Sequence, residues 1–280
     1  MSPARLVVFG ISFGALSGAL VAIALIRHPP AGSERTNVRG LVVPAILGGP
    51  LVLAGVGVAL TPGSLLLSPR IGGSVAGLCI ALGAAGFLDD VHGDRGARGF
   101  KGHLRAALSG RVTTGLLKLL IGGAGGFAVG LAVADSWQVV TTALLVSLSA
   151  NLFNLLDLAP GRAGKVGVAL WIPLLVWGAE VWAVASAGVL GALLVCLPLD
   201  LRERAMLGDA GANPLGAVLG LGLALALPPW AGALAAGLLL GLNLSSERWS
   251  FSAVISRVGP LRVLDRIGRV DPRQHDASTE

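Results

Sequence analysis

Apolar residues in this chain come in long runs rather than in alternation, and short polar segments separate them. A helix rises 1.5 Å per residue, so about 20 apolar residues cross the hydrocarbon core of a bilayer. On that spacing the pattern predicts nine spans, at 6–26, 42–60, 71–88, 112–134, 137–156, 166–177, 182–199, 214–227 and 230–244. Several are shorter than the ideal length. The stretch 166–199 divides in two because Gly178-Ala179-Glu180 places a charge in its middle. A β-barrel would instead alternate apolar and polar residues over roughly ten positions. The expected fold is an all-α polytopic membrane protein with about nine transmembrane helices. Residues 1–244 form the transmembrane domain and 245–280 a cytoplasmic amphipathic tail. In that tail Phe251, Val254, Ile255 and Val258 fall at i, i+3, i+4 and i+7, the spacing of a surface helix, whose Arg257, Arg262, Arg266 and Arg269 either touch anionic lipid headgroups or belong to a solvated tail packed on the protein itself.

Composition agrees with a lipid environment. Of 280 residues, 54% are hydrophobic and only 13% charged, where a soluble domain carries about 25% charged residues. The 42 glycines suit close helix contact in lipid. Cys79 and Cys196 both sit inside apolar runs, which argues against a disulfide framework. The first run has full spanning length and no small-residue cleavage site after it, unlike a cleaved signal peptide.

The net charge of +6 does not point to nucleic acid, because its distribution follows topology. Of 21 Lys and Arg residues, 18 fall in alternate loops and the tail. The positive-inside rule places that side in the cytoplasm, with the amino terminus outside and the carboxyl terminus inside the plasma (inner) membrane. Asp89, Asp90, Asp94, Asp157, Asp200, Glu203 and Asp209 gather on the same face. Topology does not require that.

Three acidic stations and one lysine carry the candidate chemistry. Asp89 and Asp90 close the third apolar run. Adjacent carboxylates near lipid repel each other, and a bound cation such as Mg²⁺ relieves this; a solvated helix end is the simpler reading. The loop 93–103 that follows is rich in glycine, arginine and lysine, with Lys101 a candidate for anion neutralisation and His103 read as polar surface. Lys118 lies about six residues into its span, where it either snorkels to the surface or faces a polar cavity with Thr114 one turn before it. Asn151, Asn154 and Asp157 recur at three-residue spacing, so neighbours share a helix side; they either line a site or join helices through amide hydrogen bonds. After them, Gly161, Arg162 and Lys165 form a small-residue basic turn suited to an anion. Asp209 lies in Gly208-Asp209-Ala210-Gly211, before the eighth span, either exposed for chemistry or as a helix cap.

In order and spacing these residues resemble the polyprenyl-phosphate N-acetylhexosamine-1-phosphate transferases, which include phospho-N-acetylmuramoyl-pentapeptide transferase. The likeness rests on Leu88-Asp89-Asp90, on Gly110-Arg111 through Lys118, and on Asn151-Leu152-Phe153-Asn154-Leu155-Leu156-Asp157 continuing to Gly161. Gly208-Asp209-Ala210-Gly211-Ala212, and Gly48-Gly49 after Pro44, complete it. Three features depart from the family: Pro160 replaces the second Asp of the central motif, Ser245-Ser246-Glu247-Arg248-Trp249 stands where a His-rich loop is expected, and the family's tenth span is missing. The resemblance implies transfer of a sugar-1-phosphate from a UDP-sugar to polyprenyl phosphate, with release of UMP, in cell-envelope polymer synthesis. It implies Asp89, Asp90, Lys118 and Asp209 as catalytic residues, and Mg²⁺ held by Asp209 with Asp89 and Asp90. Lys101, Asn151, Asn154, Asp157, Gly161 and Arg248 become substrate-binding candidates, and a homodimer is expected. The alternatives are a catalytically silent member that scaffolds or binds lipid-linked sugars, and a transporter. No internal repeat supports the transporter, and the charges cluster at one surface rather than the midplane. The Asp-Gly-x-x-Ala-Arg run of CDP-alcohol phosphotransferases is absent.

Overall fold

The computed structural model describes residues 1–93, 102, 105–106, 108–111 and 113–269. Helices dominate: α1 Pro3–Arg27, α2 Gly48–Ala59, α3 Pro62–Leu67, α4 Pro69–His92, α5 Thr114–Val133, α6 Gln138–Leu156, α7 Arg162–Trp177, α8 Glu180–Leu201, α9 Asp209–Ala226, α10 Pro229–Ser246, α11 Phe251–Arg257 and α12 Gly259–Arg266. Among the described residues six, namely α1, α4, α5, α6, α8 and α9, are long and apolar enough to cross a membrane. The other three expected spans correspond to weaker elements. The 42–60 run divides into a short strand and the 12-residue α2, only about 18 Å long. α7 has 16 residues and α10 has 18.

Small residues set the packing. Gly10, Gly14 and Gly18 lie four apart on the buried stripe of α1. A Cβ on Gly14 would stand 2.3 Å from the Gly188 carbonyl oxygen, so the backbones of α1 and α8 touch. This is the small-xxx-small mode of contact that replaces hydrophobic attraction in lipid. α8 and α9 form the centre, with 72% of the span window of each buried. Trp171 and Trp182 pack inside with their rings tilted by 30° and 5.4 Å between centroids, and the Trp182 indole N–H donates to the Val218 carbonyl at 2.8 Å. Cys79 and Cys196 are buried free thiols.

The segment between α1 and α2, expected as plain loop and span, contains a hairpin. β1 (Glu34–Thr36) pairs antiparallel with β2 (Val42–Pro44), Arg35 opposite Val43. The stitching continues: the Met206 N–H donates to Pro44, and Ile46 and Leu47 donate to Met206. That ties the hairpin to the strand-like approach to Asp209.

Two helix limits also differ from expectation. α4 runs on to His92, which puts Asp89 and Asp90 inside its last turn. α9 starts at Asp209 and not at Pro214, which lies within the helix. Pro214 lacks the N–H that would bond the Ala210 carbonyl one turn earlier, and groups from other elements hold the first turn. The tail forms two short helices instead of one, broken at Val258-Gly259-Pro260, where Pro260 sits in the first turn of α12.

Candidate functional site

Asp90 is 2% exposed. Its two carboxylate oxygens accept the N–H groups of Asp209 (3.1 Å) and Ala210 (3.0 Å). A helix start leaves N–H groups without partners and carries partial positive charge, so a carboxylate from another helix caps it well. From the other side Asp157, 4% exposed at the end of α6, accepts the Gly208 N–H at 2.8 Å. Burial pushes the Asp157 carboxyl well above the usual range, and the negative charges of Asp200 and Asp209 add to this. Three successive backbone donors are therefore held by two acidic side chains. Close approach needs glycine: Gly208 has φ +66°, and a Cβ on Gly86 would lie 2.4 Å from the Asp209 carbonyl.

This grip presents the Asp209 side chain to α5 and α6. Lys118 Nζ donates to Asp209 Oδ2 and, at 3.1 Å, to Asp89 Oδ2. Asn154 Nδ2 donates to the same Asp209 oxygen at 3.3 Å. The Thr114 hydroxyl donates to Asp89 Oδ1. Because α5 starts at Thr114, Lys118 is one turn into the helix and shares a face with Thr114. Its side chain is only 13% exposed, yet it reaches two carboxylates rather than the surface.

In the sequence Arg35 is one of the basic residues of the loop 27–41 after the first span, and nothing more. From β1 it donates to the Asp89 carbonyl at 2.8 Å, and its Nε lies 3.8 Å from Asp90 Oδ1. Strands of three residues leave no hydropathy signal, so nothing in the pattern pointed Arg35 to the acidic pair. With the carboxylates ionised, Asp89, Asp90 and Asp209 outnumber Lys118 and Arg35 by one negative charge.

The donor set can be tested against Mg²⁺. Among the described residues no three Asp, Glu, His or Cys side chains form a ready metal cage. Mg²⁺ seldom uses one, taking one or two carboxylates with waters and substrate phosphates. Asp89 and Asp209 each aim one oxygen at the same cationic point, the Lys118 ammonium. That pair fits a hard cation. The Asp90 oxygens are turned to backbone N–H groups instead.

The remaining candidates are scattered. Asn151 donates to Asn243 Oδ1 at 2.6 Å, and Asn243 donates in turn to the Leu148 and Leu239 carbonyls, an amide link between α6 and α10. Gly161 (φ +64°) makes the turn into α7, where a Cβ would meet Leu201 at 2.3 Å. Arg162 and Lys165, expected to face an anion, bind the tail: Arg162 meets Asp265 at 2.8 and 3.2 Å, and Lys165 takes the carbonyls of Leu264, Asp265 and Ile267. Arg248 is exposed beyond α10, and none of the cluster's hydrogen bonds described above goes to it. Lys101, with Asp94 and His103, lies outside the described residues.

No protein-family model matches the chain, and no curated protein matches it.

Proposed function

We propose that the chain transfers a sugar-1-phosphate, of the N-acetylhexosamine type, from a UDP-sugar to polyprenyl phosphate at the cytoplasmic face of the plasma membrane. The observation that carries this reading is the convergence of Asp89, Lys118 and Asp209 from three helices on one point. A lipid phosphate oxygen attacks the sugar-linked phosphorus, forming a new P–O–P bridge. The old bridge breaks between that phosphorus and the bridging oxygen, and UMP leaves with the electron pair. Positioning and charge neutralisation supply most of the acceleration in phosphoryl transfer. Mg²⁺, when bound by Asp209 and Asp89, supplies neutralisation of the diphosphate. Lys118 neutralises a phosphate oxygen, Asn154 orients Asp209, and Asp90 and Asp157 hold the turn that carries Asp209. In this reading α2, α7 and α10 complete nine crossings, with the amino terminus outside.

A catalytically silent binder of lipid-linked sugars is the second reading. The Lys118 ammonium, already seated between the two carboxylates, favours it. UMP release by the purified protein, with Mg²⁺, polyprenyl phosphate and a panel of UDP-sugars, separates the two. Transfer is expected with one or more donors, and Asp209→Asn is expected to abolish it. No release from a folded protein with any donor selects the silent reading. Full activity of Asp209→Asn removes the metal assignment.

A further inference from the structure

The tail has two faces, and the bundle uses one. Towards the bundle, Asp265 takes Arg162, whose Nη1 also donates to Ser252 at 2.9 Å. Arg269 donates to the Pro160 carbonyl at 3.0 Å and to Asp265. These bonds lay α11 and α12 across the loop joining α6 to α7, at the end of the bundle that carries Asp90, Asp157 and Asp209. Among the described residues nothing covers the outer face. Val258, Leu261, Val263, Leu264 and Ile267 are 42 to 62% exposed. At 100° per residue Val263, Leu264 and Ile267 share one arc of the α12 turn, Arg262 and Arg266 the neighbouring arc, and Asp265 points inward between them. Arg257 adds a third exposed guanidinium at the end of α11.

We propose that α11 and α12 bed in the headgroup zone of the inner leaflet, with the apolar arc at the acyl boundary and Arg257, Arg262 and Arg266 on anionic lipid headgroups. Three observations select a lipid surface over a protein partner. The tail sits at the mouth of helices that are themselves long and apolar enough to cross a bilayer. Among the described residues its free surface is an apolar arc flanked by Arg262 and Arg266, the pattern of an interfacial helix. The Asp265 latch keeps that arc turned away from the bundle, so it cannot fold back to cover itself. The proposal stands on the membrane-crossing helices and does not depend on the transfer reaction.

Cys79 and Cys196 are buried, so a fluorophore coupled to the Val263→Cys variant reports on the tail alone. The full chain is placed in nanodiscs of phosphatidylcholine, or of equal parts phosphatidylcholine and phosphatidylglycerol. In the anionic discs the label is expected to shift to blue emission and to be quenched several-fold more by spin-labelled lipid than by aqueous iodide. In the neutral discs, in high salt, and in the Arg257→Glu/Arg262→Glu/Arg266→Glu variant, iodide access is expected to return. High salt on the otherwise unaltered protein tests the same attraction if the triple variant fails to fold. A label equally open to iodide in both membranes overturns the proposal. So does lipid quenching that is equal in both.

Discussion

Lys118 decides the character of the site. A buried ammonium between two carboxylates is stabilised by both, and each of them is relieved of repulsion from the other. Removing one partner of such a group leaves unpaired buried charge, at a cost of about 3–5 kcal/mol. Lys118→Met is therefore expected to lower the melting temperature in detergent and to reduce UMP release by about 100-fold or more, the usual effect of deleting one preorganised electrostatic contact. Unchanged activity in a folded Lys118→Met protein would place the ammonium outside the reaction. In the sequence, the depth of Lys118 and the polar residue one turn before it were already legible. Its partners were not, because Asp89 and Asp209 lie 29 and 91 positions away along the chain.

At the scale of elements, the long helices were readable and their ends were not. Hydropathy places α1, α4, α5, α6, α8 and α9 because their apolar runs are long. It misplaces the start of α9 because the groups that hold that turn, Asp90 and Asp157, come from two other helices. It misses β1 and β2 because each has three residues. The glycines could be counted but not assigned. A Cβ on Gly48 would stand 2.4 Å from the Gly211 amide nitrogen, whereas one on Gly77 meets nothing within 4 Å. Gly48→Ala is thus expected to force α2 from α9 and destabilise by about 1–3 kcal/mol or more. Gly77→Ala is expected to be neutral or stabilising by up to about 1 kcal/mol through helix propensity. Thermal melts of the two variants in one detergent check the contrast, and equal shifts would deny that α2 and α9 touch through glycine.

At the scale of the whole molecule, the tail latch joins parts separated by a hundred residues. Burial raises the Asp265 carboxyl, but the Arg162 hydrogen bond and the charges of Arg162, Arg269 and Lys165 outweigh it and leave Asp265 below the ordinary value. A lowered acid stabilises the fold above its unfolded pKa of about 3.9, and that contribution fades as pH falls through the lower folded value. The latch should therefore hold undiminished from neutrality down to about pH 4. Asp265→Asn should loosen it at pH 7. Trypsin cleavage at the tail arginines measures this: rapid cleavage of Asp265→Asn at neutral pH against a resistant parent is expected, and equal rates would show that the latch does not hold the tail. The contact between α1 and α8 has a different consequence, for biosynthesis. During synthesis α1 waits for α8, which emerges on the order of ten to thirty seconds later, at ordinary elongation speeds. Through that interval the Gly10-Gly14-Gly18 seam has no α8 to meet, and lipid tails or an insertion chaperone must fill it until Gly188 arrives.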